Sequence, residues 1–195
     1  MAETVPSLFR ELSAAGRFDY WGTTQPLTAE QRVALMRTRV TEVLWWDSIE
    51  WDRTVDEVAT YVGDGFLPPG LVPFAGNGVG DHYCLYPPWQ EGAEPPVVLF
   101  EHDAETSGLF AADFAGCLVR CLLQHFATHT FEAGQPDRAT LWVAHAGILR
   151  PHLGTDLAAV LDDVGTDPTS ERCAEAEAAL GAAAADGRTL ENYPG

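Results

Sequence analysis

The feature that most limits how this chain can fold is its punctuation between Pro68 and Leu118, where prolines and glycines cut the apolar residues into pieces too short for helices. Pro68-Pro69-Gly70 breaks whatever precedes it. Leu71 to Phe74 is a short extended segment, and Ala75 to Asp81 (AGNGVGD) is a turn rich in residues that accept positive φ. From His82 to Tyr86 the chain alternates. His82, Cys84 and Tyr86 point one way and Tyr83 and Leu85 the other, as in a half-buried strand. These two strands read as a hairpin with a long connection. Pro87 to Pro96 (PPWQEGAEPP) is excluded from helix and from central strand by its prolines and reads as a surface loop. Val97 to Phe100 is apolar on both faces, which suits a strand in the sheet centre, and Glu101-His102-Asp103 ends it. A long stripe then runs through Phe110, Phe114, Cys117, Leu118, Cys121, Leu122 and Phe126 at helical spacing, with Asp113 as its N-cap. The predicted fold is α+β, a central and mostly antiparallel sheet flanked by helices.

The flanks read as helical packing. Leu8, Phe9 and Leu12 line a short helix, and Phe18, Tyr20 and Trp21 pack a terminal arm onto the body. Thr28-Ala29-Glu30-Gln31 and Thr54-Val55-Asp56-Glu57 are capping boxes that start two amphipathic helices. Between those helices, Trp45, Trp46 and Trp51 are expected to fill core space. After a turn at Gly134 to Asp137, residues 139–144 (ATLWVA) read as a strand and Gly154 to Leu161 as a short helix. Asp167-Pro168 sets a cap and a first-turn proline for a last helix, Thr169 to Ala185, whose thin stripe is Cys173, Ala176 and Leu180. It is read as a covering helix or a partner surface.

The 195 residues fit one domain, residues 1–195, and 46% of them are hydrophobic, enough for a core without disulfide or metal. The net charge is −18, and all 11 basic residues are arginine. Such a surface repels nucleic acid phosphates and anionic lipid and attracts a basic partner. No run approaches the length of a membrane span, and the N-terminus has no secretory pattern, so a cytoplasmic location is expected. The four cysteines contain no C-x-x-C pair, and Cys117 and Cys121 read as buried apolar residues.

Two patterns invite chemistry. Gly76, Gly78 and Gly80 fail as a phosphate loop, because a strand follows them and Asp81 would repel the anion. His125 and His129 have the spacing of a helical metal pair, but no H-E-x-x-H is present, and a fraying helix end is the preferred reading. Asp81, His82, His102 and Asp103 lie at the ends of two strands and are the residues a metal-dependent hydrolase would use. Against that, neighbours such as His82 and Tyr83 face opposite ways, and no nucleophile or general base stands out.

Three segments carry a resemblance: Phe74-Ala75-Gly76-Asn77-Gly78-Val79-Gly80-Asp81-His82-Tyr83-Cys84-Leu85, then Pro96 to Asp103 (PVVLFEHD), then Ala112 to Leu118 (ADFAGCL). Together they resemble the SMI1/KNR4 (SUKH) superfamily, whose pattern is a G-x-G-D turn into a strand, a P-V-V strand ending in H-D, and a helix opening A-x-S-F. Asp113 stands where the serine cap is usual. The core of the resemblance is residues 71–118; residues 1–66 read as a divergent helical N-terminal part and residues 135–195 as a C-terminal extension. Proteins similar to this are α+β domains; many bacterial members are immunity proteins that neutralise a cognate toxin, often a nuclease, and fungal members regulate cell-wall synthesis. The resemblance therefore implies a non-enzymatic binding protein with no catalytic residues, no cofactor and no metal. Its expected partner is a basic protein toxin, and a regulatory scaffold role is an alternative. Gly78, Gly80, Asp81 and His102 sit at motif positions as structural residues. Trp89, Glu91 and Glu94 in the proline loop, with Glu101, Asp103 and Glu105 at the strand end, are the expected partner contacts.

Overall fold

The computed structural model describes residues 6–18, 41–42, 44, 46, 50–51, 67–77, 80–131, 136–184 and 187–192. The helices expected to begin at Thr28 and Thr54, together with Tyr20, Trp21, Trp45 and Gly78, lie outside these residues.

Six strands form one sheet in which each strand pairs with the next in sequence. They are β1 (Glu50–Trp51), β2 (Val72–Gly76), β3 (His82–Leu85), β4 (Val97–Phe100), β5 (Thr106–Ala111) and β6 (Thr189–Glu191). Every pairing is antiparallel. The described helices are α1 (Ser7–Ala14), α2 (Phe114–Thr128), α3 (Arg138–Leu149), α4 (Thr155–Val164) and α5 (Ser170–Ala184). The α+β expectation holds.

The alternation in β3 is real, but both of its faces are buried. Tyr83 and Leu85 enter the main core beside α2, whereas Cys84 and Tyr86 join Leu67, Leu71, Val98 and Phe100 in a second cluster on the other face. A strand with helices on one side and loops on the other keeps period two without exposing either set.

Two register shifts set the core aromatics. One lies between Pro73 and Ala75 in β2, the other opposite Val97 and Val98 in β5. Each leaves one residue of its strand without an opposite number, and these are Phe74 and Phe110. Phe74 meets the Phe114 ring edge-on at 5.3 Å and Phe110 meets Tyr83 at 5.1 Å. The first shift also accommodates Pro73 inside a paired strand. Phe110 therefore belongs to a strand and not to the helical stripe expected of it. The helix begins only at Phe114, where the Asp113 carboxylate accepts the Gly116 N–H at 2.7 Å.

Other expectations change for local reasons. Residues 139–144 are helical: the Asp137 carboxylate takes the Thr140 N–H at 2.8 Å, and Leu141, Trp142, His145 and Leu149 are buried while Val143 is 55% exposed. Pro87–Trp89 forms one 3-10 turn despite its prolines, because the first residues of a turn donate no internal bond. Thr169 caps α5 in place of Asp167, its hydroxyl accepting the Arg172 N–H at 3.2 Å. The helix read from Gly154 to Leu161 runs from Thr155 to Val164 and stops at Gly165. Trp46 is buried as expected, with its indole N–H 3.3 Å from His145 Nδ1, but Glu50–Trp51 is an edge strand within the part read as helical. Phe18 stacks on Phe9 at 5.2 Å and fixes α1 to the body. All four cysteines are free and buried.

Arginine holds the helices together. Arg138, at the start of α3, donates to the carbonyls of Phe126 and His129 at the end of α2 and to that of Pro168 ahead of α5. Its guanidinium also lies 4.6 Å from the centre of the Phe131 ring. Arg120 on α2 joins Glu177 on α5 and the Phe110 carbonyl, and lies over the Phe110 ring. Gly181 leaves room for it, since a Cβ there would come within 2.9 Å of Arg120 Nη2. Arg138→Met keeps the apolar stem but removes the donor to the two carbonyls at the end of α2 and to that of Pro168. It should lower unfolding stability by about 2–4 kcal/mol in chemical denaturation, against about 1 kcal/mol for Asp113→Ala.

Candidate functional site

The motif residues build a joint between two turns. In the turn from β2 to β3, the Asn77 side chain donates to Asp81 Oδ2 at 2.7 Å and accepts the Asp81 N–H at 3.1 Å. Gly80 adopts φ +107°, and a Cβ there would press against the His102 ring at 3.1 Å, so glycine is required twice over. Asp81 Oδ1 then reaches across to the turn after β4. It accepts the His102 backbone N–H at 3.1 Å and lies 2.9 Å from His102 Nδ1. Burial pushes the Asp81 carboxyl up, but the bonds from the His102 ring, Asn77 and the His102 N–H outweigh it and hold the pKa below the ordinary 3.8. The same bond raises the His102 imidazole above 6.5. The His102 shift gives stability that is whole below pH 6.5 and lost as pH rises through the folded value. The Asp81 shift gives stability present above 3.8 and lost as pH falls through its folded value. The joint is therefore strongest in mildly acidic solution. His82, beside it, is pushed down by burial.

The second turn, Glu101 to Glu105, is clamped from far along the chain. Asn192, 2% exposed, donates to the Glu101 and Ala104 carbonyls at 2.7 and 2.9 Å. It accepts from the Ser107 hydroxyl at 2.6 Å and gives its own N–H to the Glu105 carbonyl at 3.0 Å. Ser107 in turn accepts the Glu101 N–H at 3.1 Å. With its backbone secured from both sides, the turn projects Glu101, Asp103 and Glu105 outward; all three are exposed and make no ion pair among the described residues. No sequence motif points to Asn192; a lone asparagine after a Gly-Arg turn carries no pattern.

The residues expected to meet a partner fall into two groups. His82 pairs with Phe100 and Leu85 with Val97, so Glu101, Asp103 and Glu105 share one end of the sheet with Asp81 and His102, while the loop after Leu85 occupies the opposite end. The two groups stand about 10 Å or more apart, the length of a four-residue strand. In the loop, Trp89 is half-buried against Tyr86, with ring centres 4.9 Å apart, and Arg188 sits 5.4 Å over it. Arg188 also reaches Glu91 at 3.3 Å, and Ser7 reaches Glu94 at 3.5 Å. That loop is largely engaged by the protein itself.

For metal, Asp81, His102 and Asp103 offer ligand atoms within 4.8 Å of one another, and His82 is not part of the group. His102 Nδ1 and Asp81 Oδ1 of this group already face each other at 2.9 Å across the joint. The other histidine pair lies elsewhere. His125 is 4% exposed and stacks on His129 at 4.5 Å beneath Phe131. Burial, then the nearby His129, His145 and Arg138, push its pKa down to about 3. It is a neutral core residue, and the helix end that the sequence suggested would fray is held by Arg138.

No helix among the described residues is long and apolar enough to cross a membrane. The family model described as SMI1 / KNR4 family (SUKH-1) matches residues 16–120. No curated protein and no solved structure matches the chain.

Two outcomes follow from this geometry. Asn192→Ala removes three side-chain bonds, to Glu101, Ala104 and Ser107, and should speed amide hydrogen exchange at residues 101–107 selectively, with a loss of about 2–3 kcal/mol in stability. Below pH 6.5 the unfolded chain takes up a proton at His125 that the folded chain refuses until about pH 3, so stability falls by about 1.4 kcal/mol per pH unit from this group. His125→Leu should flatten the decline between about pH 6.5 and pH 5 in denaturant titrations.

Proposed function

We propose that this chain, which belongs to the SMI1/KNR4 family (SUKH-1), is a non-enzymatic protein-binding domain that neutralises a cognate basic toxin, with a nuclease as the best-fitting class. The family includes immunity proteins. The observation that carries the reading is the acidic turn of Glu101, Asp103 and Glu105, exposed in side chain and fixed in backbone by Asp81 and Asn192. A turn ordered before binding loses little conformational entropy when it docks. Its charge speeds encounter with a basic surface and orients the partner. A nuclease must present cationic side chains to its own phosphate substrate, so a rigid carboxylate turn can occupy the same groove and block it.

Arginine usage supports the acidic character of that surface. Arg17, Arg120, Arg138, Arg172 and Arg188 all donate to backbone carbonyls, which ties five of the 11 cations to structural positions. Of the 18 carboxylates whose side chains are described, 14 are exposed.

The grouping of Asp81, His102 and Asp103 supports a second reading, a metal-dependent hydrolase. It is the weaker one, since the first two already serve as the joint between turns. Protein purified without a chelator or affinity tag should carry no stoichiometric metal by elemental analysis; an equimolar metal lost in Asp103→Ala would favour it instead.

The deciding experiment is affinity capture from the native host at low and raised salt, followed by association kinetics on the captured partner. A basic polypeptide released by salt is expected. Reversing Glu101, Asp103 and Glu105 to lysine should slow association by about tenfold or more. Unchanged association in that variant and in Trp89→Ala with Glu91→Ala would discard both ends of the sheet as the contact face.

A further inference from the structure

Beyond the matched residues 16–120, α4 and α5 line a groove of about 380 Å³. Val160 and Val164 supply one wall, and Ala176, Ala179 and Leu180 supply the other. On α5 these fall at i, i+3 and i+4, so they share one face. Val160, Ala176 and Leu180 are only partly buried, and they rest on the main core.

The rim is acidic. Asp163 stands on the α4 side and Glu175 on the α5 side, both exposed. Residues 155–184 hold seven carboxylates and one arginine. That arginine, Arg172, lines the groove but donates to the carbonyls of Val164 and Asp167 at 3.2 and 3.5 Å, so its donors are directed to the connecting turn. Of the seven acids, Glu177 pairs with Arg120 and Asp162 with Arg150. Five carboxylates therefore keep their charge without an ion-pair partner among the described residues.

The geometry points to this groove as the docking site for an amphipathic basic helix of a partner chain. An apolar trough between two helices takes one face of a third, with anchors at i, i+3, i+4 and i+7. Carboxylates on both rims select lysine or arginine flanking those anchors and steer their approach. A second copy of this chain is opposed by its net charge of −18. The surface is separate from the Glu101–Glu105 turn, and it stands whether or not that turn contacts a toxin.

The test uses the full chain and a fluorescein-labelled synthetic amphipathic helix of leucine and lysine alone, read by fluorescence anisotropy. The comparison peptide is a scramble of the same composition without a helical apolar face. Binding at least about tenfold tighter than the scramble is expected. Asp163→Asn with Glu175→Gln, and separately Ala179→Trp, should each weaken it by about fivefold or more, whereas Glu11→Gln with Glu191→Gln, which removes as many charges from exposed positions outside the groove, should change it by less than about twofold. Circular dichroism melts check folding. If Ala179→Trp fails to fold, the exposed charge pair decides. Equal binding of the scramble, or an equal loss in the Glu11/Glu191 variant, would overturn the proposal by showing general acidity alone. Self-association in sedimentation that is abolished by the groove variants would also overturn it, in favour of a second copy.

Discussion

Burial on both faces of short strands is the constraint on which this structure depends. β3 and β4 are four residues each, and their side chains alternate between two clusters with almost no exposure. Strands this short contribute few ladder bonds, so they persist only where cover is provided on both sides. Helices α1 and α2 provide it on one side. On the other, Leu67, Leu71, Tyr86 and Trp89 do so with Leu190 of β6. The proline loop, which looks like a detour in the sequence, is part of that lid.

The two bulges serve the same requirement. A regular strand sends half its side chains to each face, and β2 and β5 are only five and six residues long. The extra residues Phe74 and Phe110 add aromatic volume on the helix side, one on each side of Tyr83. Phe114 and Phe9 complete the set from α2 and α1. Edge-to-face geometry recurs through the cluster, as expected of rings that avoid face-on repulsion.

Much of this was legible from residue patterns and some was not. Asp113 could be read because an N-cap is a local contact between neighbours. The strands at 82–85 and 97–100 could be read because period two and β-branched composition are local too. Phe110 could not be placed correctly, since it falls at helical spacing with Phe114 and only its pairing with β4 reveals a bulge. Residues 139–144 (ATLWVA) are a short, mostly apolar run that imitates a strand until the Asp137 cap is considered. β6 is three residues long with one partly buried side chain, which is below any periodicity signal. At the site, Gly80, Asp81 and His102 could be singled out as motif positions, but neither the bond from Asp81 across to the second turn nor the Asn192 clamp could be read, because both join segments distant in sequence. The sequence also grouped Trp89 with Glu101 as neighbours on one surface, although a hairpin places its loop and its strand end at opposite extremes.

The Asn192 clamp bears on the order of folding events. Its side-chain bonds to the acidic turn span 85 to 91 positions of chain, far longer than the hairpin contacts that set β2 to β5. Closing so long a loop is entropically slow, and it is rewarded only once the sheet it docks against exists. The acidic turn is therefore the latest feature of the sheet to become rigid. On a ribosome, where residues emerge one after another, β2 to β5 and α2 can assemble while that turn is still loose. Its final geometry awaits the synthesis of residues 187–192.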